Sequence, residues 1–162
     1  MRLTTFTDYS LRVLMYLGVH AGRMATIREI AVAHGVSENH LMKVVQALAR
    51  SGCVETIRGK GGGLRLARPP EAINLGDVVR RIEDDSTFVE CFDSTANGCR
   101  IAPACRLTGV LRSAVDAFYA TLDAYTLADL VVPKARLIKL MPVTPPPPMV
   151  ARETPRRPLS RR

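Results

Sequence analysis

The sequence predicts a mainly α protein: a winged helix-turn-helix domain, then a cysteine-bearing loop, then a long C-terminal helix suited to dimerisation. Three observations carry that prediction. Two short amphipathic segments meet at Gly35, a basic hairpin pattern with a glycine-rich tip follows them, and residues 106–125 run without proline or a helix stop.

Taken in order, Asp8 to His20 reads as a helix with Val13, Leu14 and Leu17 on one side, ended by Gly22. "TIREIAVAHG" is a second helix, where Thr26 and Glu29 have the spacing of a capping box and Gly35 is the stop. In "SENHLMKVVQALARSG" Ser37 suits the N-cap and Gly52 the position past the C-terminus. Leu41, Val44, Val45 and Leu48 share one face of this third helix, while Asn39, Lys43, Gln46 and Arg50 fall opposite. Two helices joined at a glycine turn, the second polar outside, make a helix-turn-helix. Val54 to Arg58 and Leu64 to Leu66 alternate like strands around "GKGGG", which makes the wing. "NLGDVVRRIED" is a short helix capped by Asn74. Arg106 to Tyr125 is one long helix, in which Leu107, Leu111, Ala114, Phe118, Thr121 and Tyr125 follow steps of four and three. That spacing is the seam of one helix lying along another. No other segment is long enough to match it, so a second copy of the chain is the expected partner and the protein is expected to be a homodimer. Thr126 and Asp129 mark a further cap and a short helix before Pro133. The expected division is a DNA-binding region over 1–83, a cysteine loop over 84–106, dimerisation and terminal helices over 107–132, and a disordered, basic, proline-rich tail over 133–162.

Charge is unevenly spread over the 162 residues, whose net charge is +8. Residues 1–70 hold ten Lys/Arg against four Asp/Glu, residues 71–132 five against ten, and residues 133–162 eight against one. A basic first half points to a polyanion, most economically double-stranded DNA. The N-terminal part of the third helix would enter the major groove. Asn39 could bond adenine and Lys43 guanine, with Ser37 and His40 near enough to help and Gln46 and Arg50 on the same outward face. Arg58, Lys60 and Arg65 on the wing would meet phosphate or a minor groove. The plain alternative for any one of these residues is a solvated surface group. No catalytic constellation is visible, because His20, His34 and His40 have no nucleophile beside them, so an enzyme is not expected. There is no apolar run of about 18 residues and no signal-like N-terminus, so no membrane association is expected and the cytoplasm is the expected location.

"CFDSTANGCRIAPAC" holds three of the four cysteines, Cys91, Cys99 and Cys105. An odd number does not suit disulfides, and no closely spaced pair of the structural-zinc kind is present. Iron–sulfur clusters tolerate wider loops and take mainly thiolates. The plain alternative is three structural cysteines. Cys53, beside Val54 at the start of the wing, reads as a small core residue.

"TDYSLRVLMYL", "VSENHLMKVVQAL", "IRGKGGGLRLA", "NLGDVVRRIE" and "CFDSTANGCRIAPACRL" together resemble the iron–sulfur winged-helix repressors of the NsrR type, which sense nitric oxide. The resemblance covers about residues 1–132. It implies a homodimeric repressor on a near-palindromic operator, with nitric oxide as effector and one cluster per subunit on Cys91, Cys99 and Cys105. The nuclearity implied is 4Fe–4S, with 2Fe–2S the other form. It also implies a fourth, carboxylate ligand from the other subunit's first helix, which here is Asp8; the plain alternative for Asp8 is a carboxylate favoured by the helix dipole. Three other readings stay open: a regulator of cluster status on the same scaffold, a thiol redox sensor, and a module that binds an acidic protein in place of DNA.

Overall fold

The computed structural model describes residues 3–59, 61–83, 89–93 and 98–143. The chain folds as α1 (Thr5–Val19), α2 (Ile27–His34), α3 (Glu38–Arg50), β1 (Val54–Ile57), β2 (Gly63–Leu66), α4 (Leu75–Arg80), α5 (Arg106–Asp123), α6 (Leu127–Leu130) and α7 (Lys134–Leu140). Short 3₁₀ turns lie at Pro70–Ala72, Glu90–Phe92 and Ala102–Ala104. This is a winged helix-turn-helix with a helical extension.

The termini of the helices follow their caps. Helix α1 begins three residues before the sequence reading placed it, because Thr4 caps it by accepting the Thr7 N–H at 3.2 Å. The expected capping box of α2 is present: Glu29 N–H bonds Thr26 Oγ1 at 3.1 Å and Thr26 N–H bonds Glu29 Oε2 at 2.6 Å. Gly35 is left-handed at φ 64°, and its N–H returns to the Ala31 and Val32 carbonyls, which ends α2 and turns the chain into α3. Ser37 has the extended backbone of an N-cap, but its side chain makes no capping bond.

Val13, Leu14, Tyr16 and Leu17 of α1 meet Ile30 of α2, Leu41, Val44 and Leu48 of α3, and Ile73 and Leu127 from the C-terminal half in one core. Cys53 belongs to it, 2% exposed. Strands β1 and β2 pair antiparallel from Val54↔Leu66 to Ile57↔Gly63. At the tip a Cβ on Gly62 would lie 2.2 Å from the Ile57 carbonyl oxygen, so only glycine fits there.

A second, smaller core joins the extension to this domain. Val115 and Tyr119 of α5 pack on Val79 of α4, with Leu3, Leu11, Phe92, Phe118 and Leu122 around them. Arg80 of α4 grips the Asp123 carboxylate with both guanidinium nitrogens and lies over the Tyr119 ring, 4.6 Å from its centroid. Backbone bonds Leu75 N–H to Tyr125 O and Leu127 N–H to Ile73 O close the junction. Helix α5 therefore does have an internal partner, the short α4, which takes one of its faces.

Composition placed residues 134–140 in a disordered tail, and this is corrected by α7. Helix α7 is basic but not proline-rich; the prolines that stop a helix come later, and Met141 at its end is buried, with its carbonyl bonded to His20 Nε2 at 2.8 Å. The rest of the expected tail, 144–162, lies outside the described residues.

Glu83, just past α4, accepts hydrogen bonds from the Thr4 N–H (2.8 Å), the Thr4 hydroxyl (2.9 Å) and the buried Thr7 hydroxyl. Burial pushes its carboxyl up, but the Thr7 and Thr4 donors outweigh that and hold it below the usual range. A depressed carboxyl stabilises the fold above its unfolded pKa, and that contribution is lost as pH falls through the folded pKa. Glu83→Ala is expected to cost about 1–3 kcal/mol at neutral pH in urea unfolding, with the gap to the parent closing in acid.

Candidate DNA-binding face and cysteine loop

Helix α3 presents its polar side to solvent because Leu41, Val44, Val45 and Leu48 occupy the core. Ser37, Asn39, His40, Lys43, Gln46 and Arg50 are all exposed on it. His40 and Lys43 also border a cavity of about 370 Å³ with Thr5, Phe6, Tyr9 and Val44, so the N-terminus of α1 adjoins the outward face of α3. On the wing Arg58 is exposed and carries its charge outward, while Lys60 lies outside the described residues. Arg65 is exposed but engaged: its Nε meets Glu55 Oε2 across the hairpin at 2.8 Å. Hydrogen bonding to Arg65 holds the Glu55 carboxyl below its usual range. A phosphate contact by Arg65 must therefore compete with its own strand partner.

The cysteine loop is bound to α5 at both ends. Cys105 is the N-cap residue of α5, with extended backbone. The Thr108 N–H, the Thr108 hydroxyl and then the Leu107 N–H face its thiol and hold the thiol pKa below the usual range, although none closes a capping hydrogen bond. Cys91 lies in the Glu90–Phe92 turn and accepts a hydrogen bond from Thr108 Oγ1 at 3.3 Å. Phe92 enters the smaller core, with the Arg112 guanidinium 5.0 Å from its ring centre. Cys99 is partly buried before the Ala102–Ala104 turn, and no disulfide joins the four cysteines. Cys91 and Cys105 thus share Thr108. Among the described residues, no three His, Cys, Asp or Glu side chains close on one point. Asp8, on the first turn of α1, is held by Arg12 through Nε–Oδ1 at 3.0 Å and Nη2–Oδ2 at 2.9 Å. Sequence reasoning missed Thr108 and Arg112. Their one signal was the i, i+4 spacing at the start of the helix that follows the last cysteine.

Among the described residues, none covers the outer side of α5. Leu107 and Val110 are 59% and 64% exposed, with Ala114 and Thr121 exposed further along, and Tyr125, two residues past the end of α5, is 49% exposed. Leu111 and Phe118 of the expected seam are half-buried beside the α4 contact.

Residues 3–133 match the Rrf2 family, described as an iron-dependent transcriptional regulator. The chain belongs to that family. It is 52% identical over 142 residues to the HTH-type transcriptional regulator NsrR of Bacillus subtilis, covering 87% of this chain and 97% of that one. It is 43% identical over 146 residues to the NsrR of Halalkalibacterium halodurans, covering 90% and 100%. The solved structure of T. potens IscR superposes with a TM-score of 0.65 at 27% identity over 81% of this chain and 86% of that one. That of CymR, the global cysteine regulator of B. subtilis, does so at 0.60 and 29% over 80% and 95%. This Rrf2 protein is an NsrR-type, DNA-binding transcriptional regulator and not an enzyme. No described helix is long and apolar enough to cross a membrane.

Glu55→Gln removes the carboxylate that engages Arg65. DNA binding is expected to tighten, with the slope of log affinity against log salt growing by up to about one unit, read by fluorescence anisotropy at several salt concentrations.

Proposed function

We propose that this Rrf2 protein is a homodimeric repressor whose operator affinity is set by an iron–sulfur cluster that responds to nitric oxide. The observation that carries the reading is the convergence of Cys91 and Cys105 on the first turn of α5, with Cys99 in the same loop. The donor set fits such a group in kind: thiols, one of them biased toward thiolate, on a helix N-terminus whose dipole favours negative charge. Cys91, Cys99 and Cys105 would hold it, in the 4Fe–4S form with 2Fe–2S as the other. Asp8 of a second copy would complete the set. When bound, the cluster supplies iron that reacts with nitric oxide.

The chain's own residues do the rest. The uncovered side of α5 supports pairing with a second α5, with Leu107, Val110, Ala114 and Tyr125 at the contact. A two-fold dimer reads a near-palindromic site. Asn39, His40 and Lys43 would read base edges, with Ser37, Gln46, Arg50, Arg58, Lys60 and Arg65 placing the backbone. For Asp8 to reach another subunit its pair with Arg12 must open, and Asp8 stands on the helix whose first turns border His40 and Lys43. A change at the loop is thereby felt beside the reading helix, and affinity shifts by the difference between the two states.

A thiol switch is the second reading, favoured by the same shared contact of Cys91 and Cys105 with Thr108. Iron and sulfide analysis after anaerobic reconstitution separates the two. Cys91→Ala, Cys99→Ala and Cys105→Ala are each expected to lose the cluster, and Cys53→Ala, buried in the other core, to keep it. Full iron in any loop variant would reject the ligand set, and a colourless parent with an oxidant-formed Cys91–Cys105 disulfide would replace the reading. Lys43→Ala is expected to lose about 1–3 kcal/mol of discrimination between operator and random duplex; equal losses on both would take Lys43 out of base reading.

A further inference from the structure

The first two turns of α5 lie along the Glu90–Phe92 turn in a specific way. Thr108 donates its hydroxyl to Cys91 Sγ at 3.3 Å. Arg112, one turn further along the same face, covers the ring of Phe92, the next residue of that turn. Phe92 is itself packed into the core formed by Val79, Val115 and Tyr119. Cys91 is thus fixed from both sides, by a partly buried neighbour and by a hydroxyl. At the other end of the loop, the Thr108 N–H faces the Cys105 thiol. Thr108 therefore stands between the two cysteines, its amide and hydroxyl facing Cys105 and its hydroxyl within 3.3 Å of Cys91 Sγ. A threonine hydroxyl has a single proton. The hydroxyl–sulfur contact that closes to 3.3 Å is the one to Cys91.

We propose that Thr108 is a positioning residue of the cluster site, its hydroxyl donating to the Cys91 sulfur so as to fix that ligand and set the reduction potential of the bound group. This rests on the cluster reading above. A donor aimed at a metal-bound sulfur withdraws electron density from it and stabilises the more negative, reduced state, so it raises the potential. It also orients the sulfur before the metal arrives. Because the donor belongs to α5, the same hydroxyl joins the cysteine loop to the helix that carries the uncovered apolar side. When the Cys91 sulfur moves, the bond that holds its turn to α5 is lost.

The test uses the full chain, reconstituted anaerobically as the parent, Thr108→Val and Thr108→Ser. Valine keeps the shape and removes the donor; serine keeps the donor and removes the methyl. In Thr108→Val the iron–cysteine stretching bands in resonance Raman are expected to move to higher frequency. The equilibrium between oxidised and reduced cluster should shift about tenfold toward the oxidised form, a fall of about 59 mV for one electron. Loss of the cluster to a chelator should quicken about 10–100-fold. Serine should restore all three, and the melting curves of the three cluster-free proteins should coincide. Bands and potential unchanged in Thr108→Val, or a serine variant that behaves like valine, would overturn the proposal. If valine holds too little cluster for a potential, recovery of the parent's bands by serine supports the proposal and failure to recover them overturns it. A parent that takes up no iron and sulfide would overturn the cluster reading and this proposal together, whereas a loaded parent with an indifferent Thr108 overturns this proposal alone.

Discussion

The docking of α5 on α4 is the constraint on which the rest of this molecule depends. Helix α4 is only six residues long, yet it gives Val79 to the smaller core and Arg80 to the Asp123 carboxylate. The approach is close enough that a Cβ on Gly76 would fall 1.9 Å from Asp123 Oδ1. Two backbone bonds then tie the end of α5 to the start of α4. Apolar burial supplies the attraction, about 1.5–3 kcal/mol for each fully buried large side chain. The bidentate pair and the backbone bonds supply orientation, since an exposed ion pair by itself contributes little. Without this docking α5 would lose the packing along its length, leaving Leu127 of α6 to anchor only its end in the main core.

With it, three features acquire fixed relations. The outer face of α5 points away from α4. The cysteine loop, spanning from α4 back to α5, is pinned by Phe92 at one end and by the Cys105 cap at the other. Glu83, at the exit of α4, holds the start of α1 through Thr4 and Thr7. Asp8 is one residue beyond Thr7, and Thr5, Phe6 and Tyr9 adjoin His40 and Lys43 of α3. The cysteine loop, the exposed side of α5 and helix α3 are thus linked through packed elements and hydrogen bonds.

Much of this was legible in the sequence, because its determinants are local. Thr26 with Glu29, Gly35 and Asn74 are capping signals that act within a turn, and the apolar rows of α3 follow from helical period alone. The winged architecture and the family membership rest on such signals in order. What was not legible depends on contacts distant in sequence. Helix α7 was hidden by the basic, proline-rich composition that follows it, and it is held by Met141 and His20, far apart in the chain. The pairing of Arg65 with Glu55 needed the strand register that puts the two opposite each other. At the site the cysteines announced themselves by type and number. Thr108 did not, because a hydroxyl one turn into a helix acquires meaning only when Cys91, 17 residues away, is brought back to it.

The central claim is that the state of the cysteine loop governs the grip on DNA. The most direct measurement follows operator occupancy and cluster absorbance in one anaerobic sample as nitric oxide is added. The account predicts that both fall together and that the released protein remains folded and dimeric. Loss of the cluster absorbance while the operator stays fully bound would contradict it.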